Sequence, residues 1–291
     1  MGGGELKRRV AVAVVGIPLV LAALLVGGWL LGSVLAVVAV IATVELFRLA
    51  HGVRPYVVPG TLAAGMIVLL ATAYPTPVRA AVPMLAVLLI LVLVTLAFSI
   101  WLRWPDGQPL EAVAVTLLGP LYLGCTLAFA MFLRHLPASV SDSGAVERWQ
   151  ATGFVLLPVA SIWVGDSAAY FAGRAWGRRR LFPAASPGKT VVGGVAGLAG
   201  STAAGALIAA LMPSAFQEAA VSVTTGALIG ALLGVVAPIG DAAKSVLKRE
   251  AGVKDSGRLL PGHGGFLDRV DSLLFAFPVT YAVFLLLGVA P

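Results

Sequence analysis

The sequence predicts an all-α polytopic integral membrane protein with about nine transmembrane helices and a cytoplasmic N-terminus. Three observations predict it. The 291 residues are 59% hydrophobic and only 11% charged, with a mean hydropathy of +1.00, whereas a soluble domain sits nearer half apolar. Apolar stretches of about 20 residues, the length that crosses a bilayer as a helix, recur along the whole chain. The 20 Lys and Arg border those stretches, as orientation signals do.

The elements follow in order. The stretch 10–27 comes after Lys7-Arg8-Arg9 and is followed by many others, so it reads as a retained span and not as a signal peptide. The opening MGGGEL lacks the Ser or Thr of a myristoylation signal. Gly27-Gly28 leads into a second span, 29–50. Pro55 and Pro59 punctuate the start of 57–74, and Pro75 and Pro77 separate it from 80–101. Pro105-Asp106-Gly107 marks the turn before 112–134, and a polar loop covers 136–150. A sixth span, 153–173, runs into a basic loop with Pro and Gly at 174–190. Spans at 191–212 and 221–240 follow, then the longest charged segment, 241–271, and a last span, 272–290.

With Lys7, Arg8 and Arg9 in the cytoplasm, nine spans put 17 of the 20 Lys and Arg on that side and leave only Arg79, Arg134 and Arg148 outside. The segment 241–271 then faces the cytoplasm, where nucleotides are. The net charge of +7 does not point to nucleic acid, because the basic residues line hydrophobic spans; anionic lipid or phosphate fits that distribution. Cys125 is the single cysteine. It allows no intrachain disulfide and reads as a small buried residue.

Charge concentrates in 240–271, which holds four Asp, three Lys, three Arg, one Glu and one His. Read as a helix continuing the span before it, 241–250 places Asp241, Lys244, Ser245 and Lys248 on one face. Gly252 and Gly257 end or loosen that helix. Pro261-Gly262-His263-Gly264-Gly265 cannot be helical, and its glycines offer close approach and N–H donors to an anion. Asp268 and Asp271 stand at i and i+3 at the start of the last span. Two carboxylates there are placed to hold a divalent cation such as Mg²⁺, which takes one or two carboxylates plus substrate phosphates. Carboxylates on both sides of Lys and Arg suit phosphoryl or nucleotidyl transfer. His263 is a candidate phosphate donor or acid/base group.

The run Ser245-x-Leu247-Lys248-Arg249, four residues, Lys254-Asp255-x-Gly257, then Leu260-Pro261-x-His263-Gly264-Gly265-Phe266-x-Asp268-Arg269-Val270-Asp271 resembles the signature of phosphatidate cytidylyltransferases, also called CDP-diacylglycerol synthases. The resemblance implies an enzyme that joins CTP and phosphatidic acid into CDP-diacylglycerol, releases pyrophosphate, requires Mg²⁺ and forms a homodimer. It implies metal binding at Asp241 and Asp268 and a further acidic function at Asp271.

A second segment lies at 161–194. Asp166 sits within the sixth span, where a carboxylate is rare and usually functional or paired. Asp166, Tyr170, Gly173 and Gly177 form one helical stripe whose glycines permit close helix contact. Ser186-Pro187-Gly188-Lys189-Thr190 offers two hydroxyls and an ammonium to phosphate. It is not a P-loop, which needs a different glycine spacing. The segment resembles the same family's Asp-x-x-Ala-Tyr-x-x-Gly and Ser-Pro-x-Lys-Thr region. The family usually has a second Lys at Gly188 and Glu at Val192, and often Glu at Lys244. Glu45 and Arg48, at i and i+3, read as a pair of their own or as substrate contacts.

These readings divide the chain into N-terminal transmembrane helices, 1–150, as lipid-facing scaffold, and a catalytic transmembrane part, 151–291, with cytoplasmic site loops. The expected site comprises Asp241, Lys248, Arg249, Lys254, His263, Asp268, Arg269 and Asp271 in chemistry. Asp166, Tyr170, Ser186, Lys189, Thr190, Ser245, Asp255, Gly264 and Gly265 are expected in substrate and phosphate binding. Mg²⁺ falls on Asp241, Asp268 and Asp271. The expected partners are CTP, phosphatidic acid and membrane lipids, in a bacterial-type inner membrane. The alternatives are a CTP-dependent kinase or cytidylyltransferase acting on another lipid and, from a different class, a secondary transporter.

Overall fold

A computed structural model describes residues 14, 16, 18–103, 107–136, 145–183, 186–216, 221–253, 255–257 and 265–289, without the side chains of 145–147 and Pro187. In a bilayer a long apolar run satisfies its backbone internally only as a helix or a closed barrel, and the described elements are almost all helical. Residues 18–26 are helical. Then come α1 (Gly28–Leu49), α2 (Val57–Ala73), α3 (Pro77–Leu102) and α4 (Pro109–Gly119). A π-helical turn (Pro120–Cys125) leads from α4 into α5 (Thr126–Arg134). The second half holds α6 (Ala145–Trp176), β1 (Arg180–Phe182), β2 (Ser186–Thr190), α7 (Val191–Leu211), the short α8 (Pro213–Phe216), α9 (Val223–Glu250) and α10 (Leu267–Leu286). Pro77 and Pro109 open their helices, where a missing N–H has no intrahelical partner to lose.

Among the described residues, seven stretches are long and apolar enough to cross a membrane: α1, α3, Pro109–Arg134 (α4 through α5), Arg148–Trp176 of α6, α7, α9 and α10. Helix α2 is apolar but has only 17 residues, about 25 Å of helix against a ~30 Å hydrocarbon core. The first expected span, 10–27, lies partly outside the described residues. The basic stretch 174–190, expected as a loop, is instead a short antiparallel hairpin with Arg180 opposite Thr190 and Phe182 opposite Ser186.

The chain forms two compact units, residues 1–131 with 250–269 and residues 132–249 with 270–291. In the first, small residues let α1 and α2 approach: Gly32 faces Thr72 and Gly65 faces Val40. Tyr56 fastens α4 and α3, its N–H donating to Thr116 Oγ1 at 2.8 Å and its hydroxyl bonding Ser99 at 2.8 Å.

In the second unit, α6 and α7 meet along a seam of Gly165, Gly173, Gly193, Gly197 and Gly200, with α9 joining α7 through Gly205, Gly226 and Gly230. Dispersion between closely approached backbones replaces the hydrophobic effect there, since lipid is as apolar as the side chains. Ser201 Oγ donates to the Ser161 carbonyl across the α6–α7 seam at 2.9 Å. At one end Phe154 packs edge-on against Phe216 and Phe284, with ring centroids 5.2 and 5.0 Å away. Arg134, which the topology reading puts in an outer loop, is fully buried and donates to Thr152 Oγ1 at 3.2 Å.

Candidate active site

Helix α9 runs without interruption through 241–250, as the spacing of Asp241, Lys244, Ser245 and Lys248 predicts, and Gly252 follows it at φ +69°. That left-handed angle costs a glycine little. Where α9 passes α10, Gly240 lies against the Asp271 carbonyl and the Phe275 ring. Ser272 Oγ donates to the Ala237 carbonyl at 3.5 Å. This close approach carries Asp241 and Asp271 to opposite sides of one ammonium. Lys244 Nζ lies 3.2 Å from Asp241 Oδ1 and bonds Asp271 Oδ2. The hairpin adds a second cation: Lys189, next to the end of β2, sets its Nζ 2.8 Å from Asp241 Oδ2 and 3.5 Å from the Pro238 carbonyl. Asp271 Oδ1 accepts from the Ser272 N–H at 2.7 Å.

Among the described residues, the ion pairs of this cluster join two carboxylates to two ammoniums. Burial grades across them: the side chains of Lys244 and Asp271 are 3% and 8% exposed, those of Lys189 and Asp241 27% and 25%. The inner pair is closed, and the outer pair forms the more exposed edge of the cluster. An ion pair so buried is sustained only by close geometry and complete partnering.

The first unit contains a separate cluster. Asp268 Oδ2 accepts from the Ser256 N–H and Oγ, both at 3.0 Å, and from the Gly265 N–H at 3.2 Å. Glu45, fully buried on α1, reaches the same turn. Its carboxylate accepts from the Phe266 N–H at 3.1 Å and the Leu267 N–H at 2.9 Å, and its Oε2 lies 3.0 Å from Ser256 Oγ, whose single proton is shared between Glu45 and Asp268. The last two donors open α10, where orphan N–H groups and the helix dipole favour a negative charge. Gly257 and Gly265 stand so close to Glu45 that a Cβ at either would collide with its carboxylate. Ser256 and residues 265–267 are thus fastened to Glu45 and Asp268.

The expected Mg²⁺ site can be tested against these donors. Among the described residues, no group of three or more His, Cys, Asp or Glu comes together as a metal site. Asp241 and Asp271 offer the oxygen chemistry that Mg²⁺ takes, but the point on which they converge holds the Lys244 ammonium. That pair does not fit an additional divalent ion. Asp268 offers a carboxylate oriented by three donors.

The other expected residues disperse. Asp166 and Tyr170 lie on exposed positions of α6, and the Tyr170 hydroxyl accepts from Arg174 at 3.0 Å. Of the stripe that began with them, Gly173 and Gly177 face Thr190 instead. Thr190 is buried and caps α7, its Oγ1 accepting from the Gly193 N–H at 3.1 Å. Ser186 pairs with Phe182 in the hairpin. Ser245 is buried beside Lys244, Lys248 is half-buried, and Arg249, Asp255 and Arg269 are exposed. Lys254, His263 and Gly264 lie outside the described residues. Sequence reasoning missed the roles of Glu45 and Ser256. A lone acid near the end of an apolar span is the one available signal, and its spacing suggests a pair with Arg48 or a substrate contact; Arg48 is exposed.

Residues 7–287 match the Cytidylyltransferase family. A protein of Synechocystis named phosphatidate cytidylyltransferase is 34% identical over 96% of this chain and 97% of its own length. Proteins of the same name from Thermotoga maritima and Bacillus subtilis are 35% and 36% identical. They cover 68% of both chains in the first case, and 59% of this chain and 58% of the relative in the second. The match spans both compact units, and it excludes the transporter reading: this chain belongs to the cytidylyltransferase family, a family of nucleotide-transferring enzymes, and is built here as an integral membrane protein.

Proposed function

We propose that this chain transfers CMP from CTP to phosphatidic acid, giving CDP-diacylglycerol and pyrophosphate in phospholipid synthesis. The observation that carries this reading is the signature run 241–271, whose described residues put Asp241, Lys244 and Asp271 in one charged cluster and Asp268 in another. A lipid phosphate oxygen would attack the α-phosphorus of CTP, forming one P–O bond as the bond to the β-phosphate breaks and pyrophosphate leaves. A phosphate monoester is largely ionised near neutral pH, its second pKa being about 6, so the attacking oxygen needs no strong general base. Lys189, at the more exposed edge of its cluster, is placed to exchange its hold on Asp241 for a substrate phosphate. Lys248, Arg249, Lys254 and Arg269 are the further cations proposed for the triphosphate, and His263 with Gly264 and Gly265 the phosphate loop.

Mg²⁺ is proposed as the cation that accompanies the nucleotide, where it would neutralise phosphate charge, with Asp268 as its protein ligand. The asymmetry of Lys and Arg supports a cytoplasmic N-terminus and site in a bacterial-type inner membrane. The homodimer rests on the family resemblance, and light scattering in detergent tests it.

The deciding assay combines purified protein, Mg²⁺, labelled CTP and phosphatidic acid. Lipid-linked cytidine is the expected product, and Asp268→Ala is expected to abolish it. A lipid that gains phosphate without cytidine would make the chain a CTP-dependent kinase. No transfer with any divalent metal would overturn the reading, and full activity of Asp268→Ala would remove Asp268 as ligand.

A further inference from the structure

The second unit carries a carboxylate pair that already holds a cation. Asp241 from α9 and Asp271 from α10 converge on a single point, and Lys244 Nζ occupies it, bonded to Asp271 and 3.2 Å from Asp241. We propose that Lys244 is a resident cation, its ammonium taking the place between Asp241 and Asp271 that a divalent ion would otherwise fill, so that this pair binds no metal in this chain.

Three features argue it. An ammonium only 3% exposed has been taken out of water, and such a charge persists only where carboxylates compensate it. Lys189 supplies the second positive charge, so the two carboxylates are already neutral as a group, and a divalent ion would add an uncompensated double charge. Every oxygen of the pair is also engaged, Asp241 by Lys189 and Lys244, Asp271 by Lys244 and the Ser272 N–H. Mg²⁺ would have to displace these partners while also shedding water, which it does reluctantly. An ammonium tethered to α9 is also present at every turnover and cannot be removed by a chelator.

The inference refines the metal part of the function proposed above, but its test needs neither nucleotide nor lipid, so the two can fail separately. Full-length protein in detergent is titrated with Mn²⁺, and free Mn²⁺ is read by electron paramagnetic resonance. Asp271→Asn in the otherwise unchanged chain is expected to take up as much Mn²⁺ as the parent. Lys244→Gln vacates the point between the carboxylates and is expected to gain about one Mn²⁺ per chain. The double variant Lys244→Gln/Asp271→Asn is expected to lose that gain. Thermal unfolding is followed alongside: Lys244→Gln is expected to melt below the parent without metal and to recover part of the difference with Mn²⁺. Loss of a bound Mn²⁺ in Asp271→Asn, or a folded Lys244→Gln that gains none, overturns the proposal. If Lys244→Gln does not fold, the comparison of Asp271→Asn with the parent decides alone, equal uptake supporting the proposal and reduced uptake refuting it.

Discussion

Glu45 and Lys244 invert what their sequence contexts suggest. Glu45 is an acid in an apolar helix whose partners are backbone N–H groups and a serine hydroxyl, not a cation. Its removal strands those donors in a buried place, at about 1–3 kcal/mol for each one left unsatisfied. Glu45→Ala is therefore expected to lower the thermal midpoint and the rate of CMP transfer together. Glu45→Gln keeps an acceptor and should fall between parent and alanine in both measurements. Gly265→Ala should act in the same direction, because its Cβ would strike the Glu45 carboxylate. None of this was legible in the sequence, since an i, i+3 neighbour is the only partner that spacing can suggest, and Glu45 finds Ser256 and Leu267 at separations of 211 and 222 residues. The face shared by Asp241, Lys244 and Ser245 was legible, because helical periodicity is a local property. That Lys244 points between two carboxylates was not, since it needs α10 beside α9.

Hydropathy exposed nearly every helix at the scale of elements; seven stretches among the described residues have the length of a span, and α2, with 17 residues, stands at the lower end of the ~17–25 that cross a bilayer. The hairpin was hidden for a physical reason: β1 has three residues and β2 five, too few for a two-residue alternation to stand out in a basic, proline-containing stretch. Its effect is nonetheless large, because β2 delivers Lys189 to Asp241 and Thr190 to the start of α7. Thr190→Val removes a helix cap, at a cost of about 1 kcal/mol, and a lower thermal midpoint is the expected reading. The glycine seam between α6 and α7 makes a stronger demand. Gly197 lies against Ala169 and the Gly165 carbonyl, so Gly197→Leu forces the helices apart. A loss of about 1–3 kcal/mol or more is expected, seen as early unfolding or loss of extractable protein in detergent. Small-xxx-small spacing was visible in the sequence, but which helices it joins was not.

Orientation belongs to the whole molecule. If Lys7–Arg9 and the segment 241–271 share the cytoplasmic side, a cysteine introduced at Gly288 in a Cys125→Ser background is expected to react with an impermeant maleimide on intact bacterial cells. One at Glu250 is expected to react only after permeabilisation. The reverse pattern would invert the topology and place the charged clusters away from CTP. Both compact units hold part of the signature run: the first holds Asp268 together with Glu45, the second Asp241, Lys244 and Asp271. The expectation that residues 1–150 are scaffold alone leaves out what Glu45 does for the signature turn.

The distance along the chain between Glu45 and its donors also sets an order of events during synthesis. At about 5–20 residues per second, translation takes roughly 10 to 40 s to pass from Glu45 to Ser256. Throughout that interval α1 carries a carboxylate with none of its eventual partners yet made. Glu45 lies in the last turn of α1, the place on a spanning helix where a waiting charge can stay hydrated instead of entering hydrocarbon. The turn that presents Asp268 is seated only after translation has passed Leu267. A chain not yet synthesised to that point therefore holds this turn unassembled.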